Sequence, residues 1–526
     1  MKLPSLSHLA HQSTRTFQRF PLTIVDAIIG TLAVIVMIEY PTHEHPRLEF
    51  LQRVALVAAL GVPFFTTIVV TAEKFGWEMR RRFIAQLSGV MVLVGYYFSL
   101  PGNVYETDLL HIVRYSLFVI AMHLLIAFAP FARKGEVNGF WQYNKTFFLR
   151  FLTAVLYSGV LYAGLAIALA AIDHLFNVDI KEETYAELWT ILAGVFNTWF
   201  FLSGVPENLN ALDGVSEYPK GLKVFTQYIL IPLVVVYLLI LYAYAIKIIV
   251  DWDWPKGWVA NLILGFSITG MLSLLLVHPI QERAENKWIT TFSRRYYVAL
   301  VPMVVILLLS IWRRISEYGI TENRYFVLVL GLWLGGIVIY FMFSKTKNIK
   351  VIPISLCVIA FLASFGPLGA FSVSAESQMD RLTTLLSKNK VLVDGKVRKA
   401  ETQLSFEDEK DISSIVKYLS DVHGVAGMQP WFDTLLDTLG TGDDTGNDVR
   451  SNRPKLIVAL MGLRYVGEWE TRATGHFQFS ASKGEAIDIH GYNMLIQSKT
   501  FGESHTGRTS FVIGSAQWSL STRPDN

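Results

Sequence analysis

The sequence predicts an all-α polytopic membrane bundle of about eleven transmembrane helices, followed by a small soluble α+β domain. Three observations carry that reading. Of the 526 residues, 52% are hydrophobic and only 17% charged, where soluble domains carry about 25% charged residues. Mean hydropathy is +0.39. The apolar excess lies almost wholly before residue 372, and after Phe371 the pattern turns to amphipathic helices and alternating strands. The implied layout is a cytoplasmic segment at 1–20, a transmembrane helical domain at 21–371 and an extracytoplasmic α+β domain at 372–526.

A bilayer core about 30 Å thick needs roughly 20 apolar residues in helix, because no water is present to satisfy the backbone. Eleven runs qualify, at about 21–40, 52–72, 83–100, 109–130, 148–172, 186–204, 224–248, 258–279, 296–312, 325–343 and 351–371. The first is read as a retained span: its apolar stretch is longer than a signal core, and Glu39-Tyr40-Pro41 follows instead of a small-residue cleavage site. Tyr96-Tyr97, Trp288, Tyr296-Tyr297 and Tyr325 gather at span ends as an interfacial belt.

Orientation follows from the cations in the short loops. With the N-terminus inside, the inner loops hold 20 Lys and Arg, including Arg80-Arg81-Arg82, and the outer loops hold 8. An odd number of crossings then delivers the C-terminal domain to the outside. The weakest run is 186–204, with Asn197 and Thr198 in its middle.

Polar residues within apolar runs are costly unless they meet a partner or water, so they mark candidate sites. Here they are Asp26, Arg114, His123, Asn197, Gln227 and His278. Arg114 lies about one turn inside its span, where it can snorkel to the surface. Asp26 is near the start of the first span. His123 follows Arg114 by nine residues, which puts the two on different helix faces. His278 precedes Pro279 at a span end and reads as an interfacial or capping group.

Two stretches between spans are more particular than hydropathy. One is Glu217-Tyr218-Pro219-Lys220-Gly221-Leu222-Lys223, running through Gln227-Tyr228 to Ile231-Pro232. The other runs Arg314-Ile315-Ser316-Glu317-Tyr318-Gly319-Ile320-Thr321-Glu322-Asn323-Arg324-Tyr325, with Glu282-Arg283 and Trp288 upstream. With the span pattern and the Gly366-Pro367 exit, they make the chain resemble, from about residue 15 to beyond 430, the bacterial integral-membrane family called domain of unknown function 4153. The resemblance implies a bacterial inner-membrane protein and brings no activity or catalytic residues. Read physically, Tyr218-Pro219-Lys220 is a membrane-surface turn. Glu317 and Glu322 with Arg314 and Arg324 form a connection of about twelve residues that opposite charges would fold into a compact loop.

In the tail, Met379, Leu382, Leu385 and Leu386 recur at helical spacing, as do Ile412, Ile415, Val416 and Leu419 behind a cap at Ser405. Further helices are expected over Trp431–Leu439 and 454–465. Strands are expected at 390–394, 397–403, 475–482, 486–496 and 510–519, with a hairpin turn at Asp394-Gly395. The acidic Thr441–Asn452 segment, with Asp443, Asp444, Asn447 and Asp448, lacks the spacing of a calcium loop. His43-Glu44-His45 lacks a third placed metal ligand.

Several classes are disfavoured. Residues 372–526 hold 17 Lys and Arg against 20 Asp and Glu, which leaves 29 against 23 before them, and no basic stripe marks a nucleic-acid binder. The one cysteine, Cys357, permits no disulfide within the chain. No nucleotide, hydrolase or metalloprotease motif occurs in usable context, so no cofactor and no metal is expected. The expectation is a non-enzymatic sensor, scaffold or envelope assembly factor whose partners are the bilayer and an envelope protein. The alternatives are a transporter of a small solute, lipid or ion, in which Arg114, Asp26 and Asn197 would share one cavity, and a membrane-embedded transferase.

Overall fold

A computed structural model describes residues 6–41, 46–102, 109–251, 258–281, 287–439, 446–468, 470, 508–513 and 516–521. Helix α1 (Leu6–Arg19) leads into α2 (Pro21–Glu39), whose first residue is a proline, placed where its missing N–H costs nothing. Then come α3 (Phe50–Lys74), α4 (Met79–Ser99), α5 (Leu109–Phe128) and the 40-residue α6 (Val137–Phe176). Helix α7 (Glu182–Ile191), a π turn at Leu192–Phe196 and α8 (Asn197–Ser203) make one continuous run. The same device joins α9 (Lys220–Phe225) to α10 (Ile231–Asp251) through a π turn at Thr226–Leu230. Helices α11 (Trp258–Val277), α12 (Lys287–Tyr318), α13 (Glu322–Phe343) and α14 (Val351–Ser364) follow.

Ten of the eleven apolar runs are helical nearly throughout, and the run at 351–371 is helical to Ser364 and breaks over 365–369. Among the described residues, eight helical stretches are long and apolar enough to cross a membrane: α2, α3, α5, α6, the α9–α10 run, α11, α12 and α13. The other three differ for visible reasons. Three arginines crowd the start of α4, a π turn interrupts α7–α8, and α14 has 14 residues, about 21 Å at 1.5 Å per residue. The architecture is that of a helical membrane protein.

Small residues bring helices together where no water drives them. At Gly30 of α2 a Cβ would stand 2.8 Å from Ala58 of α3, and at Gly61 of α3 it would stand 2.2 Å from Asp26 Oδ2. Helix α14 lies on α5 through Ala360, Ala121 and Cys357, whose Sγ reaches Ala121 O at 3.4 Å. Phe20, Val70, Tyr143, Leu202, Tyr296, Leu300, Leu307 and Leu334 belong to the main core. Phe151, Val160 and Ile167 of α6 and Leu239 and Ile249 of α10 are exposed, as hydrocarbon-facing residues should be.

At one end of the bundle buried cations tie loops down. The Lys350 ammonium, 1% exposed, donates to Phe131 O at 2.8 Å, to Arg133 O at 2.9 Å and to Gly135 O. Lys74 pairs with Glu136 at 3.0 Å. Arg19 pairs with Glu73 at 2.7 Å and also donates to the Val205 and Pro206 carbonyls.

Five residues after α14 the chain enters the tail at α15 (Ala370–Lys388). The hairpin of β1 (Leu392–Val393) and β2 (Lys396–Val397) turns on Asp394 and Gly395, both with positive φ, as a two-residue I′ turn requires. Strand β2 covers only the start of the expected 397–403 strand. Helix α16 (Phe406–Tyr418) is capped as the sequence suggests, Ser405 Oγ accepting from Asp408 N at 3.1 Å. The helix expected over Trp431–Leu439 does not form: the Gln429 side chain donates to Thr434 O at 3.0 Å and accepts from Leu436 N at 2.9 Å, and short 3₁₀ turns at Gln429–Trp431 and Leu436–Thr438 replace it. Helix α17 (Gly446–Leu460) begins earlier than expected. Leu382, Leu386, Ile412, Val416, Leu436, Ile457 and Met461 form the buried core of this part.

Residues Met1–Glu468 form one compact unit and Trp469–Asn526 another. In the latter, β3 (Arg508–Ile513) pairs antiparallel with β4 (Ala516–Ser521), Phe511 opposite Trp518. The single strand expected at 510–519 is thus two, because Gly514-Ser515 interrupts the strand-forming residues. The strands expected at 475–482 and 486–496, His43-Glu44-His45, Glu282-Arg283, and Asp443 and Asp444 lie outside the described residues.

Candidate functional site at the bundle–tail junction

Helix α12 does not stop where the apolar run ends but continues to Tyr318, and α13 starts at Glu322. The expected twelve-residue loop is therefore a three-residue turn. Gly319 makes it with φ +69, its N–H donating to Ile315 O at 2.8 Å. Charge pairing does not hold this turn. Arg324 Nη1 instead donates to the Tyr318 and Gly319 carbonyls at 2.9 and 2.8 Å, which satisfies the acceptors left over at a helix end.

Tail helix α15 completes the turn. Gln378 Nε2 donates to Tyr318 O and Ile320 O, both at 3.0 Å, and Ile320 N–H donates to Ser377 Oγ at 2.9 Å. Arg381 pairs with Asp411 of α16 at 2.5 Å. A Cβ on Gly319 would lie 2.7 Å from Gln378 Nε2, so glycine is needed for both its φ and its lack of bulk.

Glu322 forms the centre. It is 7% exposed, and it sits in the first turn of α13, where unpaired N–H groups favour a negative charge. Ser374 Oγ of α15 donates to Oε1 at 2.6 Å, Tyr418 OH of α16 donates to Oε2 at 2.7 Å, and His423 Nε2 lies 3.1 Å from Oε1. His423 Nε2 is also 3.1 Å from Tyr418 OH, and its ring packs edge-on against Phe371. Burial pushes the Tyr418 phenol well above its ordinary value, so it remains a donor. Nearby, Tyr325 OH donates to Leu368 O at 2.5 Å and Arg114 Nε donates to Ser364 O at 3.0 Å, holding both sides of the exit from α14.

This arrangement is a polar clasp. Ser374 is fully buried, and both it and Glu322 approach the same nitrogen of His423, so the acid does not stand behind the imidazole as a serine nucleophile requires. Among the described residues no group of three or more His, Cys, Asp or Glu is placed to hold a metal ion.

The remaining sequence candidates lie elsewhere. Asp26 packs on Gly61, its Oδ2 buried without a hydrogen-bond partner among the described residues. His123 and Asn197 line one open-sided cavity of about 500 Å³, whereas Arg114 does not reach it and Asp26 is not on its wall. Gln227 is buried in the second π turn, and His278 sits in a 3₁₀ turn after α11. Tyr218 stacks on Trp141 and donates to Leu276 O at 2.9 Å, while Glu217 O accepts from Gln142 Nε2 at 3.3 Å. Lys220 opens α9 and is exposed, and Thr321 holds the position before α13. Glu317 interacts with Tyr318, and no ion pair of Arg314 occurs among the described residues. Ser374, Gln378, Tyr418 and His423 were not marked by sequence, for they lie on amphipathic tail helices with no motif around them.

No solved structure matches the chain. It is 23% identical over 343 residues to the uncharacterized protein PM1469 of Pasteurella multocida (strain Pm70), a match covering 64% of this chain and 55% of that relative. The chain thus spans about half the length of the curated relative it matches. Residues 27–392, from α2 to the start of β1, match the family described as Domain of unknown function (DUF4153), and the chain belongs to that family.

Proposed function

We propose that the chain is a non-enzymatic protein of the bacterial inner membrane whose bundle and tail act as one coupled body, serving as a sensor, scaffold or envelope assembly factor through a protein partner on the tail. The observation that supports this reading is the clasp at Glu322. Three tail groups converge on one bundle carboxylate, with Gln378 and Arg381 reaching the same turn. A tethered, independent domain would need none of these bonds; a body that passes strain between its parts needs them all.

Eleven crossings, with the N-terminus in the cytoplasm and the tail outside, fit the side-by-side contacts. Glu322 and the tail meet at one end of α13, and Lys350, beyond its other end, reaches the α5–α6 connection. A carrier is less well supported, because Arg114, Asp26 and Asn197 do not share a cavity.

Mild crosslinking in intact cells followed by purification tests the reading. A reproducible partner whose yield falls with Glu322→Ala is expected, and recovery of no partner from wild type would overturn it. A reporter fused after Asn526 tests the topology, and activity confined to the cytosol would reverse the placement of the tail.

A further inference from the structure

We infer that the cavity between α3, α5, α6 and α8 binds an uncharged long-chain lipid through a free hydroxyl group. Its volume, about 500 Å³, falls in the range of small-molecule sites. Phe147, Phe148, Phe151 and Phe201 give it an apolar wall, and no Lys, Arg, Asp or Glu among the described residues lines it.

The polar groups of the wall lie inside helical runs, away from their ends. Thr66 is eight residues before the end of α3, Asn197 six before the end of α8 and Asn144 seven after the start of α6. At 1.5 Å per residue these groups stand about 9–12 Å in from the helix ends. Those three ends are adjacent, since Lys74 pairs with Glu136 and Arg19 spans Glu73 and Val205. A phosphate or ammonium head group in the cavity would meet no counter-charge on the described wall.

The hydrogen-bond inventory decides what kind of polar group fits. His123 Nδ1 lies 2.8 Å from Val119 O. A carbonyl only accepts, so Nδ1 carries a proton toward it. Asn144 spends its amide hydrogens on Ala127 O and Phe140 O, which leaves Oδ1. Thr66 gives its hydroxyl proton to Val62 O, which leaves oxygen lone pairs. Asn144 and Thr66 therefore offer acceptors only, while Asn197 and Thr198 on the same wall carry donors. The complementary ligand both donates and accepts: a hydroxyl does both, whereas an ester, a ketone or a quinone leaves Asn144 Oδ1 and Thr66 Oγ unmet. Asn197 and Thr198, placed directly after the π turn at Leu192–Phe196, can meet the hydroxyl oxygen.

Photolabelling of the full chain in phosphatidylcholine nanodiscs tests this. The probe is a long-chain alcohol carrying a diazirine, with its methyl ether and the matching alkyl phosphate as controls. Saturable labelling of the α6 phenylalanine wall is expected, at least tenfold weaker for either control. It should fall at least fivefold in Asn197→Leu and His123→Phe. Thr198→Val, which keeps the native shape, should fall at least twofold, and an unchanged size-exclusion profile verifies folding. Displacement by unlabelled diacylglycerol or by unlabelled polyprenol supports the proposal and tells which lipid is preferred. Displacement by neither, equal labelling by the ether, or no loss in any of the folded variants would overturn it.

Discussion

The last residue of α16 and the first residue of α13 are hydrogen bonded: Tyr418 OH donates to Glu322 Oε2 at 2.7 Å across 96 residues of chain. The bond links the tail to the bundle at a buried carboxylate that also accepts from Ser374. Its strength comes from charge and from burial together, and both are lost if Glu322 is removed.

Glu322→Ala should therefore loosen the junction by about 3 kcal/mol, the usual cost of leaving buried partners of a charge unpaired. Glu322→Gln, which keeps the shape and one acceptor, should cost about 1.5 kcal/mol. Limited proteolysis of the purified protein measures this, with faster cleavage at the 365–369 exit expected in the order Ala, Gln, wild type. Equal cleavage rates in all three would show that the tail is held by its apolar contacts alone.

At the opposite end of the bundle, Lys350→Met is predicted to destabilise by about 3 kcal/mol, because the Phe131, Arg133 and Gly135 carbonyls all lose a charged donor. Lys350 is buried, so water cannot substitute. A drop in the midpoint of tryptophan-monitored thermal unfolding in detergent is the expected readout. Lys345→Met on the exposed side of the same connection should leave the midpoint unchanged.

The helices were legible because hydropathy is a local property, written within each run of about twenty residues. The Asp394-Gly395 hairpin was legible for the same reason, two adjacent residues sufficing to specify the turn. Glu322 could be marked as a polar residue beside a span, yet its role could not be read, since Ser374 and Tyr418 are 52 and 96 residues away. The charge pattern around it also misled: Arg314, Glu317 and Arg324 suggested a paired loop, but the backbone carbonyls at the end of α12 claimed Arg324 first. At Trp431–Leu439 the apolar spacing was helical, and the Gln429 side chain, bonded to Thr434 O and Leu436 N, held the segment in another shape.

The contact of Asp26 with Gly61 predicts a coupled pair of substitutions. A methyl group added at Gly61 would meet Asp26 Oδ2 at 2.2 Å, so Gly61→Ala should cost about 2 kcal/mol through overpacking. Asp26→Ala removes the obstacle and should restore most of the loss in the double variant. Thermal unfolding of the four proteins completes the cycle, and strictly additive effects would mean that α2 and α3 separate freely at this point.

Two glycines near α13 should respond in opposite directions. Gly319 has φ +69 and lies against Gln378, so Gly319→Ala strains the backbone and displaces the side chain that holds the Tyr318 and Ile320 carbonyls. The combined cost should be about 2 kcal/mol, from the αL penalty and one lost hydrogen bond. Gly336 lies inside α13 with nothing within 4 Å of an added Cβ, so Gly336→Ala should stabilise by about 0.5–1 kcal/mol through helix propensity. Hydrogen exchange separates the two effects. Gly319→Ala should speed exchange at Ile320 and in the first turn of α15, whereas Gly336→Ala should slow it along α13 alone. If Gly319→Ala altered only α12 and left α15 protected, the turn would be a helix stop and no part of the clasp between bundle and tail.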